Sequence, residues 1–176
     1  MAQNISKDKA SKIKLFIFDI DGVMTDGKII YTDSGEEIKF FDVKDGHGIK
    51  IMQRAGIEAA FITARNSKVV QVRAEDLGIE YVYQGNLDKL EAFDDLMAKT
   101  GLNPDEVAYI GDDIIDLPIL KRVGVSFAVG DAVAEVKDIV DVVTEKNGGH
   151  GAVREAIEAI LKGADLWNSA TDRYNK

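Results

Sequence analysis

With 176 residues, 45% of them hydrophobic and 30% charged, the sequence has room for one domain with a sizeable core and the balance of an ordinary globular chain. It carries no cysteine, which rules out a disulfide framework and a thiolate zinc site. Its 22 basic and 31 acidic side chains leave a formal charge of −9, which disfavours broad contact with nucleic acid or an anionic membrane.

The opening MAQNISKDKASKIK alternates lysine with polar residues and has no apolar segment, so a flexible leader over 1–13 is expected rather than a signal peptide. No apolar run approaches the ~20 residues of a membrane span, and a cytoplasmic protein is expected. LFIFD (15–19) reads as a strand that runs into Asp19, with Asp21 two positions on. KIIYT and EIKFFD form a hairpin over 28–42, because Asp33, Ser34 and Gly35 supply turn chemistry between them. A helix follows over about 46–55 and stops at Gly56. EAAFIT (58–63) is a strand, and 67–77 a helix with Asn66 or Ser67 as N-cap and Gly78 beyond its end. YVY (81–83) is a short strand, and the helix of 88–100 carries Leu90, Phe93 and Met97 on one face. Then come the strand VAYIG (107–111), a helix at 116–123, the strand VSFAV, a short helix at 133–139 and the strand DVVT. The last helix has Val153, Ile157, Ile160 and Leu161 in one stripe, and the tail of 164–176 has no readable pattern.

This alternation implies a doubly wound α/β fold, a parallel sheet covered by helices on both faces, with only the hairpin breaking the rhythm. Ligands in such folds bind beyond the carboxyl ends of the strands. Those ends supply Asp19 and Asp21, then Thr63 and Arg65, then Asp112, Asp113 and Asp116, with Lys89 opening a helix nearby. Buried acids need a cation, and an oxygen-only donor set favours magnesium with water and phosphate completing its shell. Lys89 and Thr63 suit the oxygens of a phosphoryl group, Asp19 is placed to attack phosphorus, and Asp21 to serve the leaving oxygen. Gly148–Gly149–His150–Gly151 opens the last helix, and a glycine-rich loop there suits an anion, so substrate contact is expected.

DIDGVMTDG, ITAR, Lys89 and GDDIID, in that order, resemble the four motifs of the haloacid dehalogenase superfamily of phosphatases. The resemblance covers nearly the whole chain and extends to FFDVKDGHGIK, QGNLDK and GGHGAVREAI. It implies Asp19 as nucleophile, Asp21 as acid/base, and Thr63 and Lys89 as holders of the phosphoryl group. Magnesium would be bound by Asp19, the Asp21 backbone carbonyl and Asp112, with Asp116 in support. Lys44, Asp45, Gly46, Arg65, Arg73 and Arg154 are the expected substrate-binding residues. The implied reaction is hydrolysis of a sugar-acid phosphate, and Arg65 after Thr63-Ala64 favours an eight-carbon over a nine-carbon ketodeoxy acid. With no insertion large enough for a lid, neighbouring subunits are expected to cover the site, as a homotetramer with the hairpins at its interface. A phospho-accepting receiver domain uses similar groups, but its acids are adjacent and its lysine comes near the end. Here a single residue separates Asp19 and Asp21, and GDD follows Lys89.

Overall fold

The computed structural model describes residues 5–175. Its centre is a six-stranded, all-parallel sheet in the order β5-β4-β1-β6-β7-β8. The strands are β1 Leu15–Phe18, β4 Glu58–Ile62, β5 Tyr81–Tyr83, β6 Val107–Gly111, β7 Val125–Ala128 and β8 Val142–Val143. Phe16 and Phe18 of β1 stack at 4.4 Å between centroids, and Phe127 meets Phe16 at 5.5 Å. The chain leaves β1 toward β4 on one side and later returns past it to β6, so β1 borders the topological switch point.

Right-handed crossovers put α2 Val43–Arg54 and α3 Lys68–Leu77 on one face, and α4 Lys89–Thr100 and α5 Leu117–Leu120 on the other. A further short helix, α6 Ala134–Lys137, links β7 to β8, and α7 Ala152–Gly163 packs against α2. Ser67 and Asp88 cap α3 and α4, and left-handed Gly78 and Gly101 end them. None of the described helices is long and apolar enough to cross a membrane.

Three expectations need correction. Residues 7–12 form a helix, α1, rather than a flexible stretch; its buried Ala10 lies on Gly163 at the end of α7, and residues 1–4 fall outside the described residues. One small apolar residue leaves too faint a pattern to read. The helix α2 starts at Val43, not near 46, because Asp42 caps it through the Lys44 N–H at 2.6 Å. Gly46 and Gly48 depress helix propensity locally, yet both are packing positions: a Cβ on Gly48 would lie 2.9 Å from Arg154 Cδ. The tail folds too. Its helix α8 Trp167–Thr171 sets Trp167 beneath the cations of Arg154 and Lys162, and Tyr174 bonds His47 and Arg54 on α2, each at 2.9 Å.

The hairpin is real but short, with β2 Ile30–Tyr31 paired antiparallel to β3 Glu37–Ile38. Ile38 and Phe40 alternate on its outer side, while Tyr31 and Glu37 oppose each other and both reach Arg65.

Candidate active site

The turn after β1 does most of the positioning. Thr25 N–H donates to Ile20 C=O at 3.0 Å, which closes residues 20–24 into a wide loop. Gly22 sits at φ 96°, a region L side chains rarely adopt, and a Cβ there would lie 2.1 Å from Asp112 Oδ2. A residue with a side chain would therefore push the Asp112 carboxylate away from the end of β1.

Asp19, Asp112 and Asp116 offer carboxylate oxygens that all lie within 4.8 Å of one another. Lys89, 2% exposed, donates to Asp19 Oδ1 and Asp116 Oδ1, both at 2.7 Å. A cation in the first turn of a helix opposes the helix dipole. Burial also works against the ammonium, yet the charges of Asp19 and Asp116 outweigh that burial and its pKa rises. Asp116 is satisfied entirely by protein: Tyr109 OH donates at 2.5 Å and Lys89 at 2.7 Å to one oxygen, and the Asp112 and Asp113 N–H groups at 3.0 and 3.3 Å to the other. It is a strut for the cluster.

One ammonium does not neutralise three acids, of which Asp19 and Asp116 are buried and Asp112 half-buried. Burial, opposed chiefly by Lys89, lifts the Asp19 pKa to about 6. Burial and then the Asp19 charge lift that of Asp112 to about 8. The donor set is hard oxygen and its negative charge is in excess, so it fits a divalent magnesium ion on Asp19 and Asp112.

Thr63, 2% exposed, directly follows β4 beside β1, and its hydroxyl accepts from Arg65 N–H at 3.3 Å. Arg65 stands over the rim, with Nε 3.9 Å from Asp21 Oδ2. Asp21 itself bonds Lys39, a partner from the hairpin that the sequence reading missed.

Other expected binding residues are not brought to this cluster. Asp45 is fully buried and accepts from Arg154 N–H at 2.7 Å and Gly151 N–H at 3.3 Å, so it caps α7. Gly46 leaves room for Arg73, whose guanidinium lies 5.4 Å over Phe41. Arg154 pairs with Glu158 at 2.8 Å, and Lys44 is exposed on the first turn of α2. The glycine loop is no anion cradle either. Its four N–H groups are taken by Asp131, Val23 C=O, Asn147 C=O and Asp45, and Gly148 abuts the Gly22 carbonyl. It braces the turn that carries Asp21.

Tyr109 was also missed. A tyrosine inside a fully buried strand must find a partner for its hydroxyl, and that was the available signal.

Residues 62–157 match the family model for haloacid dehalogenase-like hydrolases. The 3-deoxy-D-manno-octulosonate 8-phosphate phosphatase of Escherichia coli K12 is 47% identical over 153 residues, which cover 87% of this chain and 81% of that protein. The crystal structure of the enzyme of that name from Yersinia pestis superposes with a TM-score of 0.89 at 45% identity, covering 92% of this chain and 87% of that one. The Moraxella catarrhalis enzyme, solved with magnesium, phosphate and the sugar acid KDO, gives a TM-score of 0.93 at 40% identity, with 96% and 97% of the two chains covered.

Proposed function

Because the chain belongs to the haloacid dehalogenase-like hydrolase family, we propose that it is a magnesium-dependent phosphatase that converts 3-deoxy-D-manno-octulosonate 8-phosphate to the free sugar acid and phosphate, a step of lipopolysaccharide biosynthesis. The observation that carries the chemistry is the buried Lys89 ammonium bridging Asp19 and Asp116 beside Asp112, at the ends of adjacent parallel strands. The observation that favours the eight-carbon acid is Arg65 on the rim.

In this reading Asp19 attacks phosphorus and becomes a phospho-aspartate, while protonated Asp21 donates to the departing sugar oxygen. Asp21, now ionised, takes a proton from the water that hydrolyses the intermediate. Lys89 offsets the repulsion between the Asp19 carboxylate and the phosphate, and the Thr63 hydroxyl donates a hydrogen bond to a phosphoryl oxygen. Magnesium, when bound, would add charge neutralisation on the same oxygens and orient them for in-line transfer. Asp116 and Tyr109 hold Lys89 and the Asp112 backbone in place. Lys44 and Arg73 remain candidates for sugar contact across a subunit boundary only.

Asp19→Asn should abolish turnover, since an amide is a poor nucleophile and ligand. Asp21→Asn should still be phosphorylated by an activated aryl phosphate but stall there, as an acid-stable protein-bound phosphate seen by mass spectrometry. Equal residual turnover in both variants would overturn the assigned roles.

A further inference from the structure

The backbone turn fixes where Asp21 begins, but its carboxylate is held from elsewhere. Lys39 lies one residue beyond β3, and its side chain is 2% exposed. Its ammonium donates to Asp21 Oδ1 and stands 3.2 Å from Glu37 Oε1. Burying an ammonium this far is costly unless opposite charges meet it, and Asp21 and Glu37 do so. Asp21 Oδ2 has no hydrogen-bond partner among the described residues, and Arg65 Nε stops 3.9 Å short of it. Arg65 is turned away because its NH2 bonds Glu37 at 3.1 Å and Tyr31 OH at 3.0 Å, leaving its Nε buried and unpartnered. Three hairpin residues and one strand-end arginine thus enclose the acid/base carboxylate on one side.

We propose that Lys39 is a positioning residue for Asp21: it fixes Oδ1 and leaves Oδ2 as the oxygen that gives and takes the proton. This rests on the phosphatase reading above. In the first step the Oδ2–H bond breaks and its proton passes to the sugar oxygen, as the bond from that oxygen to phosphorus breaks and the Asp19–phosphorus bond forms. In the second, water gives a proton to Oδ2 as its oxygen bonds phosphorus and the Asp19–phosphorus bond breaks. The arrangement makes the acid/base depend on where the hairpin sits, so contacts that hold the hairpin also hold the chemistry.

The test compares Lys39→Met and Lys39→Arg with wild type, on the octulosonate phosphate and on an aryl phosphate, in saturating magnesium. A loosened carboxylate should lower kcat by ~10²-fold on both esters without raising KM, the scale of loss for a misplaced catalytic group. Because the aryl ester needs no acid for its departure, Lys39→Met should release a burst of aryl alcohol before a slow steady state. Lys39→Arg should recover most of the lost rate, since a guanidinium can still donate to Oδ1. A rise in KM for the sugar phosphate alone, with aryl-phosphate kinetics intact, would make Lys39 a substrate contact and overturn the proposal. Equal loss in both variants with a lowered melting temperature and no burst would make it purely structural, which also overturns it. A wild type inert toward both esters would overturn the phosphatase reading, and the positioning role with it.

Discussion

Asp19, buried, and Asp112, half-buried, lie together as acids whose protons are hard to remove without a cation. Both carboxyls have pKa values above the ordinary range, about 6 and about 8, with burial the leading cause in each. In the metal-free protein the folded state therefore holds protons that the unfolded chain releases above pH ~4. Stability from these two groups is greatest at low pH and declines as pH rises through about 6 and about 8. Magnesium needs them ionised, so its binding should release protons and tighten as pH rises. Thermal melts should show magnesium raising Tm more at pH ~8.5 than at pH ~5.5, and equal increments at both would contradict the metal site. Lys89→Ala should cost ~3–5 kcal/mol of folding stability, as it strands two buried carboxylates, and urea titration measures it. Excess magnesium should partly rescue Asp112→Ala, but not Lys89→Ala. At this scale the convergence of Asp19, Asp112, Asp116 and Lys89 was legible, because parallel strands bring their carboxyl ends to one edge of the sheet. Lys39 was not. Alternation with Ile38 and Phe40 would have set it on the inner side of the hairpin, but the hairpin was read as a subunit contact.

Elements that bury a continuous apolar run were legible, because a strand such as β1 leaves no other use for four consecutive buried side chains. Elements fixed by tertiary contact were not. The start of α2 was read near residue 46 rather than at Val43, and nothing in the pattern showed that Gly46 and Gly48 leave room for Arg73 and Arg154 over the helix. Asp45 and the glycine loop read as ligand contacts, whereas they tie α2, α7 and the turn that carries Asp21 into one unit. Asp45→Ala should lower the free energy of unfolding by ~1–3 kcal/mol, because two buried N–H groups lose their acceptor. A change of a few tenths of a kcal/mol in urea unfolding would show that water replaces it. Gly148→Ala should be worse for activity than for folding, since its Cβ would lie 1.7 Å from the Gly22 carbonyl oxygen and must displace the turn that carries Asp21.

Over the whole molecule, the alternation of strands and helices was enough to read the doubly wound sheet and the edge at which its chemistry lies. The assembly was not readable from one chain. Phe40 is 69% exposed, Val43 79% and Val72 50%, on or beside the hairpin, and a two-stranded hairpin is marginal alone. The homotetramer that the sequence resemblance implies would cover them and roof each site. Ile38→Asp with Phe40→Asp should then dissociate the assembly in sedimentation and reduce sugar-phosphate turnover more than aryl-phosphate turnover. A fully active wild-type monomer would contradict that arrangement.

The deciding measurement is phosphate release from a panel of sugar phosphates by the purified wild-type protein, with magnesium and with a chelator. Magnesium-dependent hydrolysis is expected, with kcat/KM for 3-deoxy-D-manno-octulosonate 8-phosphate at least ~10-fold above that for a nine-carbon ketodeoxy-acid 9-phosphate, about what one well-placed contact such as Arg65 supplies. A preference for the nine-carbon ester would contradict the substrate assignment. Release that is indifferent to the chelator, or absent from every ester, would contradict the chemistry itself.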